Sequence, residues 1–316
     1  MGKATGSGGE TARSVTARAP GKLNLVLRIG ALQNDGYHEV ASLYQAVSLF
    51  EEVTATPSDG FSVRFAGPID GSFLPTDDSN LVIRAAKLLA HTMGITEGAA
   101  LTVVKRVPIA GGMGGGSADA AATLVACDEL WGTGLGRTGL LPLAAELGAD
   151  VPFALEGGTA IGTGRGDQLT HALSQGEFHW VIVFSEHGLS TPIVYAELDA
   201  HRRRHSAALL AHDTVSVDAA ALQAVRSGDH HALADALQND MQAAALRLRP
   251  ELGELLEFGE SHESLAGIVA GSGPSCAFLM PHALAAAELQ SALVRGGYDA
   301  VAVRGPVRGA CVLDRG

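Results

Sequence analysis

Apolar and polar positions alternate early in the chain and then change period. Leu23, Leu25 and Leu27 alternate with Lys22, Asn24 and Val26, the spacing of a strand whose other face is polar near its start. Ser42–Phe50, Glu51–Ala55, Phe61–Phe65 and Leu101–Val104 also read as strands. Asn80–Met93 reads as a helix with Leu81, Ala85, Leu88 and Leu89 on its buried side, capped from Asp77-Asp78-Ser79. Ala120–Trp131 carries Leu124, Cys127, Leu130 and Trp131 on one helical face, and Leu140–Leu147 is a second helix ended by Gly148. The second half repeats this mixture. Strands are predicted at Trp180–Phe184, Gly267–Ala270, Cys276–Met280 and Tyr298–Val303, with a short tail strand at Gly309–Leu313. Helices are predicted at Ala219–Val225, His231–Leu237, Leu252–Phe258 and Ala283–Arg295. Strand-rich halves that each carry packed helices predict an α+β class rather than a doubly wound sheet. The expected division is a tail at 1–13, an N-terminal domain over 14–165 and a C-terminal domain over 166–316.

Between the predicted strand at 101–104 and the helix lies Pro108-Ile109-Ala110-Gly111-Gly112-Met113-Gly114-Gly115-Gly116-Ser117-Ala118-Asp119. Ser117 is a good N-cap and Asp119 suits a first helical turn. A glycine-rich loop feeding a helix N-terminus offers free N–H groups and a positive dipole end, which is the chemistry of a phosphate site. No Lys-Ser/Thr follows the glycines, so the loop is not a Walker A motif. The G-x-G-x-x-G at Gly134–Gly139 follows a helix instead of a strand and is not a dinucleotide fingerprint.

The net charge of −12 over 316 residues argues against a nucleic-acid binder. It also means that a phosphate site must gather its few cations locally, which directs attention to Lys22 and Lys105. The longest stretch without Asp, Glu, Lys or Arg, Ser264–Ala287, is broken by Gly271-Ser272-Gly273-Pro274-Ser275 and is not a membrane span. The Gly-, Ser- and Thr-rich tail at 1–13 has no apolar core of a signal peptide and is expected to be disordered. Three cysteines without C-x-x-C spacing fit neither a disulfide framework nor a zinc site and suggest a reducing, cytoplasmic setting.

Several polar residues remain open between a chemical and an architectural role. Lys22 and Asn24 point the same way from one strand, which suits a site or a solvated outer face. Asp35-Gly36 signals a tight turn that sets Tyr37 and His38 side by side at a loop tip, as ligand contacts or as surface residues. Asp150 stands among apolar neighbours just before Pro152, where it needs a partner or serves as an N-cap.

Three blocks together resemble the motifs of the GHMP kinases: Pro20-Gly21-Lys22-Leu23-Asn24, the loop Pro108–Ala118, and Gly271-Ser272-Gly273-Pro274-Ser275-Cys276. Met113 stands where that family usually has leucine, and Ala118 where a second serine can occur. The order and spacing match from about residue 16 to 311. Asp35-Gly36-Tyr37-His38, Asp78-Ser79-Asn80-Leu81 and Gly148-Ala149-Asp150-Val151-Pro152-Phe153 further resemble the branch that serves the non-mevalonate isoprenoid pathway, whose alcohol substrate carries a cytidine diphosphate.

The resemblance implies a two-domain fold with the active site in the cleft between the domains, and ATP with Mg2+ as cofactors. Asp150 would be the general base and Lys22 its partner. Asn24 would bind substrate nearby, Tyr37 would stack on the cytosine, His38 would hydrogen-bond it, and Tyr195 would close the other face. Thr191 would contact the diphosphate or the polyol end. Asn80 and Lys105 would border the adenine and ribose. Pro108, Gly112, Gly114, Gly115, Gly116, Ser117 and Ala118 would form the ATP loop. No carboxylate cluster suggests a dedicated metal cage, though the Ser117 hydroxyl is a candidate ligand. A small-molecule substrate, no nucleic acid, no membrane, and a monomer or weak homodimer are expected. Another small-molecule kinase of the family, or a catalytically silent binding protein on the same fold, are the alternatives.

Overall fold

The computed structural model describes residues 13–185, 188–204 and 215–316; apart from Arg13, the expected tail at 1–13 lies outside them. The chain opens with two long strands, β1 (Val15–Leu32) and β2 (His38–Ser58), then β3 (Ser62–Ala66), α1 (Leu81–Met93) and β4 (Gly98–Val104). Next come α2 (Gly115–Trp131), α3 (Gly136–Leu147), α4 (Val151–Glu156), β5 (Thr159–Thr163), β6 (Gln168–His171) and β7 (Phe178–Phe184). The later elements are α5 (Thr191–Arg204), α6 (Ala219–Ser227), α7 (His230–Ala236), β8 (Gln238–Asn239), α8 (Gln242–Leu248), α9 (Glu251–Glu260), β9 (Ala266–Val269), β10 (Cys276–Met280), α10 (Ala283–Arg295), β11 (Asp299–Gly305) and β12 (Cys311–Arg315).

One sheet runs β12-β1-β2-β4-β3, with β5 and β8 pairing along β2 and β1 and β6 on β5; the other is antiparallel, in the order β11-β7-β10-β9. Helices packed on these two sheets give the α+β architecture. The last strand, β12, returns to pair antiparallel with β1. A first core lies between the lower half of β1–β2 and α1–α3, built from Val53, Leu101, Val103, Leu89 and Leu124. A second joins the upper half of the same strands to the other sheet through Leu23, Leu25, Val47, Trp180 and Leu279. Trp180 Nε1 donates to Gln45 Oε1 at 3.0 Å across that core, so the indole is buried without losing its hydrogen bond.

The structure changes some local readings and decides others. The strands expected at 42–50 and 51–55 are one strand, because Glu51 is fully buried and paired rather than interrupting it. The polar face of β1 is not solvated: Lys22 is 9% and Asn24 3% exposed, covered by the other half of the molecule. Helix α2 is buried almost all round, since its run of alanines lets it pass close to the sheet on one side and its neighbour helices on the other. It also starts two residues before Ser117, on Gly114 at φ +71, so Ser117 lies in the first turn and does not cap it. Helix α3 begins earlier than its apolar pattern because the Asp128 carboxylate accepts the N–H groups of Leu135 (3.0 Å) and Gly136 (3.1 Å).

The glycine loop is held at its base by a buried ionic triad. Lys105 Nζ lies 2.6 Å from Glu51 Oε1 and 2.7 Å from Asp119 Oδ2. The Glu51 carboxylate also accepts the N–H groups of Arg106 (3.0 Å) and Val107 (3.1 Å), which lead into the loop. β2, the strap 105–107 and α2 are thereby joined at one point. Burial raises both carboxyls, and the charge of Asp119 adds to the rise at Glu51, to about 8. With burial opposing charge at both carboxyls, the pair retains one proton near neutral pH, shared between Glu51 and Asp119. One ammonium, one carboxylate and one carboxylic acid then make the triad neutral.

Lys105→Met leaves two buried carboxyls facing each other and is expected to lower stability by about 3–5 kcal/mol in urea unfolding; a loss under about 1 kcal/mol would mean that the triad does not hold this part of the fold. Because the folded pKa is raised, the stabilisation is complete below the ordinary carboxylate range and is lost as pH rises towards 8. Unfolding free energies from about pH 5 to about pH 9 should fall for the natural chain and stay flatter for Asp119→Asn. Parallel curves would count against the shared proton.

Candidate active site

A cleft of about 660 Å³ opens between the two halves. Its walls bring together Lys22, Asn24, Asp150, Thr191 and Tyr195 with Asn80, Lys105 and Pro108. Gly112, Gly114, Gly115, Gly116 and Ser117 form its floor. Tyr37, His38 and Ala118 are not on its wall. The first two line a neighbouring cavity of about 530 Å³.

The floor depends on glycine at two positions. Gly112 has φ +79, and a Cβ there would overlap the carbonyl oxygen of Ala270. The glycine loop therefore packs backbone against backbone on the late turn Gly271–Ser275. Gly114, at φ +71, would carry a Cβ 3.3 Å from Lys22 Cγ and 3.8 Å from Asp150 Oδ2, so its missing side chain keeps the corner between those two residues open. The N–H groups of Gly115, Gly116 and Ser117 have no acceptor within the helix. The Ala118 N–H already donates to Gly114 O at 2.9 Å, so Ala118 lies outside the set of free donors. The N-terminal ends of α1 and α2 both face the cleft, and their dipoles supply positive potential in an acidic chain.

Asp150 occupies the N-cap position of α4, yet its side chain makes no capping bond. Its Oδ2 lies 3.7 Å from Lys22 Nζ, and the side chain is 30% exposed to the cleft. Lys22 Nζ also donates to Asn24 Oδ1 at 2.6 Å, and Asn24 Nδ2 donates to Ser42 Oγ at 2.8 Å. The Ser42 hydroxyl completes the chain on Val26 O at 2.8 Å. Every polar atom between the strand backbone and the ammonium is therefore used to aim it at Asp150. The Tyr195 phenol, across the cleft, is pushed up to about 12 by burial and by the charge of Asp150, and stays protonated.

Thr191, the first residue of α5, shares a hydrogen bond of 2.8 Å with Ser272, joining that helix to the late turn. Asn80 caps α1: its Oδ1 accepts Val82 N–H at 2.8 Å and its Nδ2 donates to Pro75 O at 2.7 Å. It thus fixes the helix end that faces the cleft. Lys105 reaches the wall, but its ammonium is held by Glu51 and Asp119, and its charge is not free for a phosphate.

In the neighbouring cavity the His38 ring stacks on Tyr195, with centroids 4.9 Å apart, and its Nε2 meets Asp199 Oδ1 at 3.0 Å. Tyr195 thus lies against His38, between the two cavities. Tyr37 is exposed at the loop tip, where the Asp35 carboxylate accepts its N–H at 3.0 Å, and one ring face carries the Arg165 guanidinium.

Several contributors carry little signal in sequence. Glu51 reads as one of two charges in a strand, and only its depth marks it. Asn239 braces the late turn by donating to Val269 O (2.8 Å) and Gly271 O (2.7 Å), from a two-residue strand too short to give a pattern. Arg165 has a faint signal, a cation between two glycines.

Models of the GHMP kinases N terminal domain and of the GHMP kinases C terminal match residues 80–158 and 221–299. A protein of Leifsonia xyli subsp. xyli named 4-diphosphocytidyl-2-C-methyl-D-erythritol kinase is 59% identical over 95% of this chain and 99% of its own. One of the same name from Clavibacter michiganensis subsp. michiganensis is 57% identical over 97% and 99%. Among solved structures, a 4-(cytidine 5'-diphospho)-2C-methyl-D-erythritol kinase superposes with a TM-score of 0.74 at 30% identity, covering 92% of this chain and 98% of the other. Homoserine kinase from Cytophaga hutchinsonii shares the fold, with a TM-score of 0.72 at 18% identity over 99% of each chain. With its three motifs meeting at one cleft and relatives matched along nearly its full length, the chain belongs to the GHMP kinase family.

Proposed function

We infer that the protein transfers the γ-phosphoryl group of ATP to the 2-hydroxyl of 4-diphosphocytidyl-2-C-methyl-D-erythritol, giving the 2-phosphate and ADP, in isoprenoid precursor biosynthesis by the non-mevalonate route. The observation that carries this reading is the Lys22–Asp150 pair, 3.7 Å apart and open to the cleft beside the free N–H groups of α2. The near-full-length identity to kinases of that name supports the substrate.

Phosphoryl transfer needs alignment and charge neutralisation more than covalent help from the protein. The N–H groups of Gly115, Gly116 and Ser117 receive the ATP phosphates. Asp150 takes the proton of the attacking hydroxyl, and the Lys22 ammonium beside it balances the charge of that carboxylate. Lys22 also faces the charge that builds on the transferring group. Asn24 holds Lys22 in line, and Thr191 borders the substrate's path. The Tyr37 face receives the cytosine. An Nε2–H on His38, favoured by Asp199, leaves Nδ1 as an acceptor for the exocyclic amino group of that base. For a magnesium ion accompanying ATP, the part-exposed Ser117 hydroxyl would be a donor of suitable hardness, and the ion would supply further charge neutralisation there.

ADP release should occur with the cytidyl substrate and not with homoserine or mevalonate; turnover confined to either of those would overturn the substrate. Asp150→Asn should fold normally, since its side chain caps nothing, and lose about 100- to 10,000-fold in kcat. Near-normal turnover would remove Asp150 from the chemistry. Tyr37→Ala should raise KM for the cytidyl substrate about 5- to 100-fold with KM for ATP unchanged, the value of one base stack; equal losses for both substrates would argue against a cytosine platform.

A further inference from the structure

The cleft wall carries three Lys or Arg side chains among the described residues: Lys22, Lys105 and Arg165. Two of these charges are committed. Lys22 is shared between Asn24 and Asp150, and Lys105 is enclosed by Glu51 and Asp119. Arg165 differs from both. Its side chain is 57% exposed, its ion pair with Asp35 is long, at 3.5 Å, and its guanidinium lies 3.7 Å from the centroid of the Tyr37 ring. It is also on the wall of both cavities, the catalytic cleft and the neighbouring one with Tyr37 and His38. Its backbone is fixed, because Arg165 N–H donates to Asp167 Oδ1 at 3.2 Å and the adjoining Gly164 O accepts Val40 N–H at 2.9 Å.

A ligand with its base against Tyr37 and its alcohol at Asp150 must run the group that links them past Arg165. In a nucleoside diphosphate conjugate that group is the diphosphate, and an acidic chain has to neutralise it there. We propose that Arg165 is a specificity-determining residue that binds the diphosphate of the substrate. The proposal rests on the assignment of Tyr37 and Asp150 given under Proposed function. The planar guanidinium can leave its exposed pair with Asp35 at little cost and grip two phosphate oxygens in a bidentate contact, which an ammonium cannot reproduce.

The test is calorimetric titration of cytidine and of CDP into the natural chain, Arg165→Ala and Arg165→Lys, with the ATP site filled by a non-hydrolysable ATP analogue. Arg165→Ala should weaken CDP about 10- to 100-fold and leave cytidine within about twofold, with an unchanged unfolding midpoint. Arg165→Lys should recover only part of the loss. Equal weakening of cytidine and CDP would mean that Arg165 acts only by steadying Tyr37, and unchanged CDP binding would remove it from the site; either result overturns the proposal while the substrate assignment stands. Failure of the natural chain to bind either ligand would overturn that assignment and this proposal together.

Discussion

A single ammonium group, Lys105, sits where three parts of the molecule meet. It is enclosed by carboxyls from β2 and α2, while one of those carboxyls also grips the backbone leading into the glycine loop. Most of the loop is glycine, which contributes backbone and no packing, while Met113 is sunk into the core and its carbonyl accepts the Lys22 N–H. Its shape is imposed from both ends, by the triad below and by the carbonyl of Ala270 above. A phosphate cradle made of bare N–H groups is useful only if those groups do not have to be ordered when the ligand arrives. The buried polar cluster supplies that order from beneath, away from water.

The same economy governs the charges in the cleft. The chain is strongly acidic, yet the function proposed for it brings two highly anionic ligands into the cleft. It does so with few cations, most of them already matched by carboxylates, and with helix ends and amide groups that carry partial positive charge without a side chain. Lys22 has its hydrogen bonds and its carboxylate partner lined up along one strand face. Directing a few groups accurately replaces accumulating many.

Much of this was legible in the sequence, for identifiable reasons. The long amphipathic stretches gave their helices, and the glycine run followed by alanines announced a helix end facing a ligand. The motif containing Lys22, the loop and the late glycine turn together identified the family, and with it the meeting of distant segments at one cleft. What the pattern of one strand could not convey was which face meets solvent. The alternation at Lys22 and Asn24 was right, but the second half of the chain covers that face. Ser117 looked like a cap because serine favours that position; Gly114 took it, since only a left-handed residue allows the loop to turn there. Lys105 looked like a free cation because its partners, Glu51 and Asp119, lie 54 and 14 residues away in a chain whose folding alone unites them. Arg165 lay in a turn, where a charged side chain is ordinarily unremarkable.

The pairing of β12 with β1 has a bearing on how the molecule is made. On the ribosome, the strand that carries Lys22 and Asn24 emerges early, but the neighbour that closes the outer edge of its first residues, Val15–Arg18, is β12, which follows far downstream. Until β12 arrives, that end of β1 offers unpaired N–H and C=O groups, the kind of edge that captures other nascent chains. The strand that carries Lys22 reaches its final surroundings only once Cys311–Arg315 has docked. A chain cut short before that segment keeps every residue lining the cleft and still lacks one edge of the sheet that holds it.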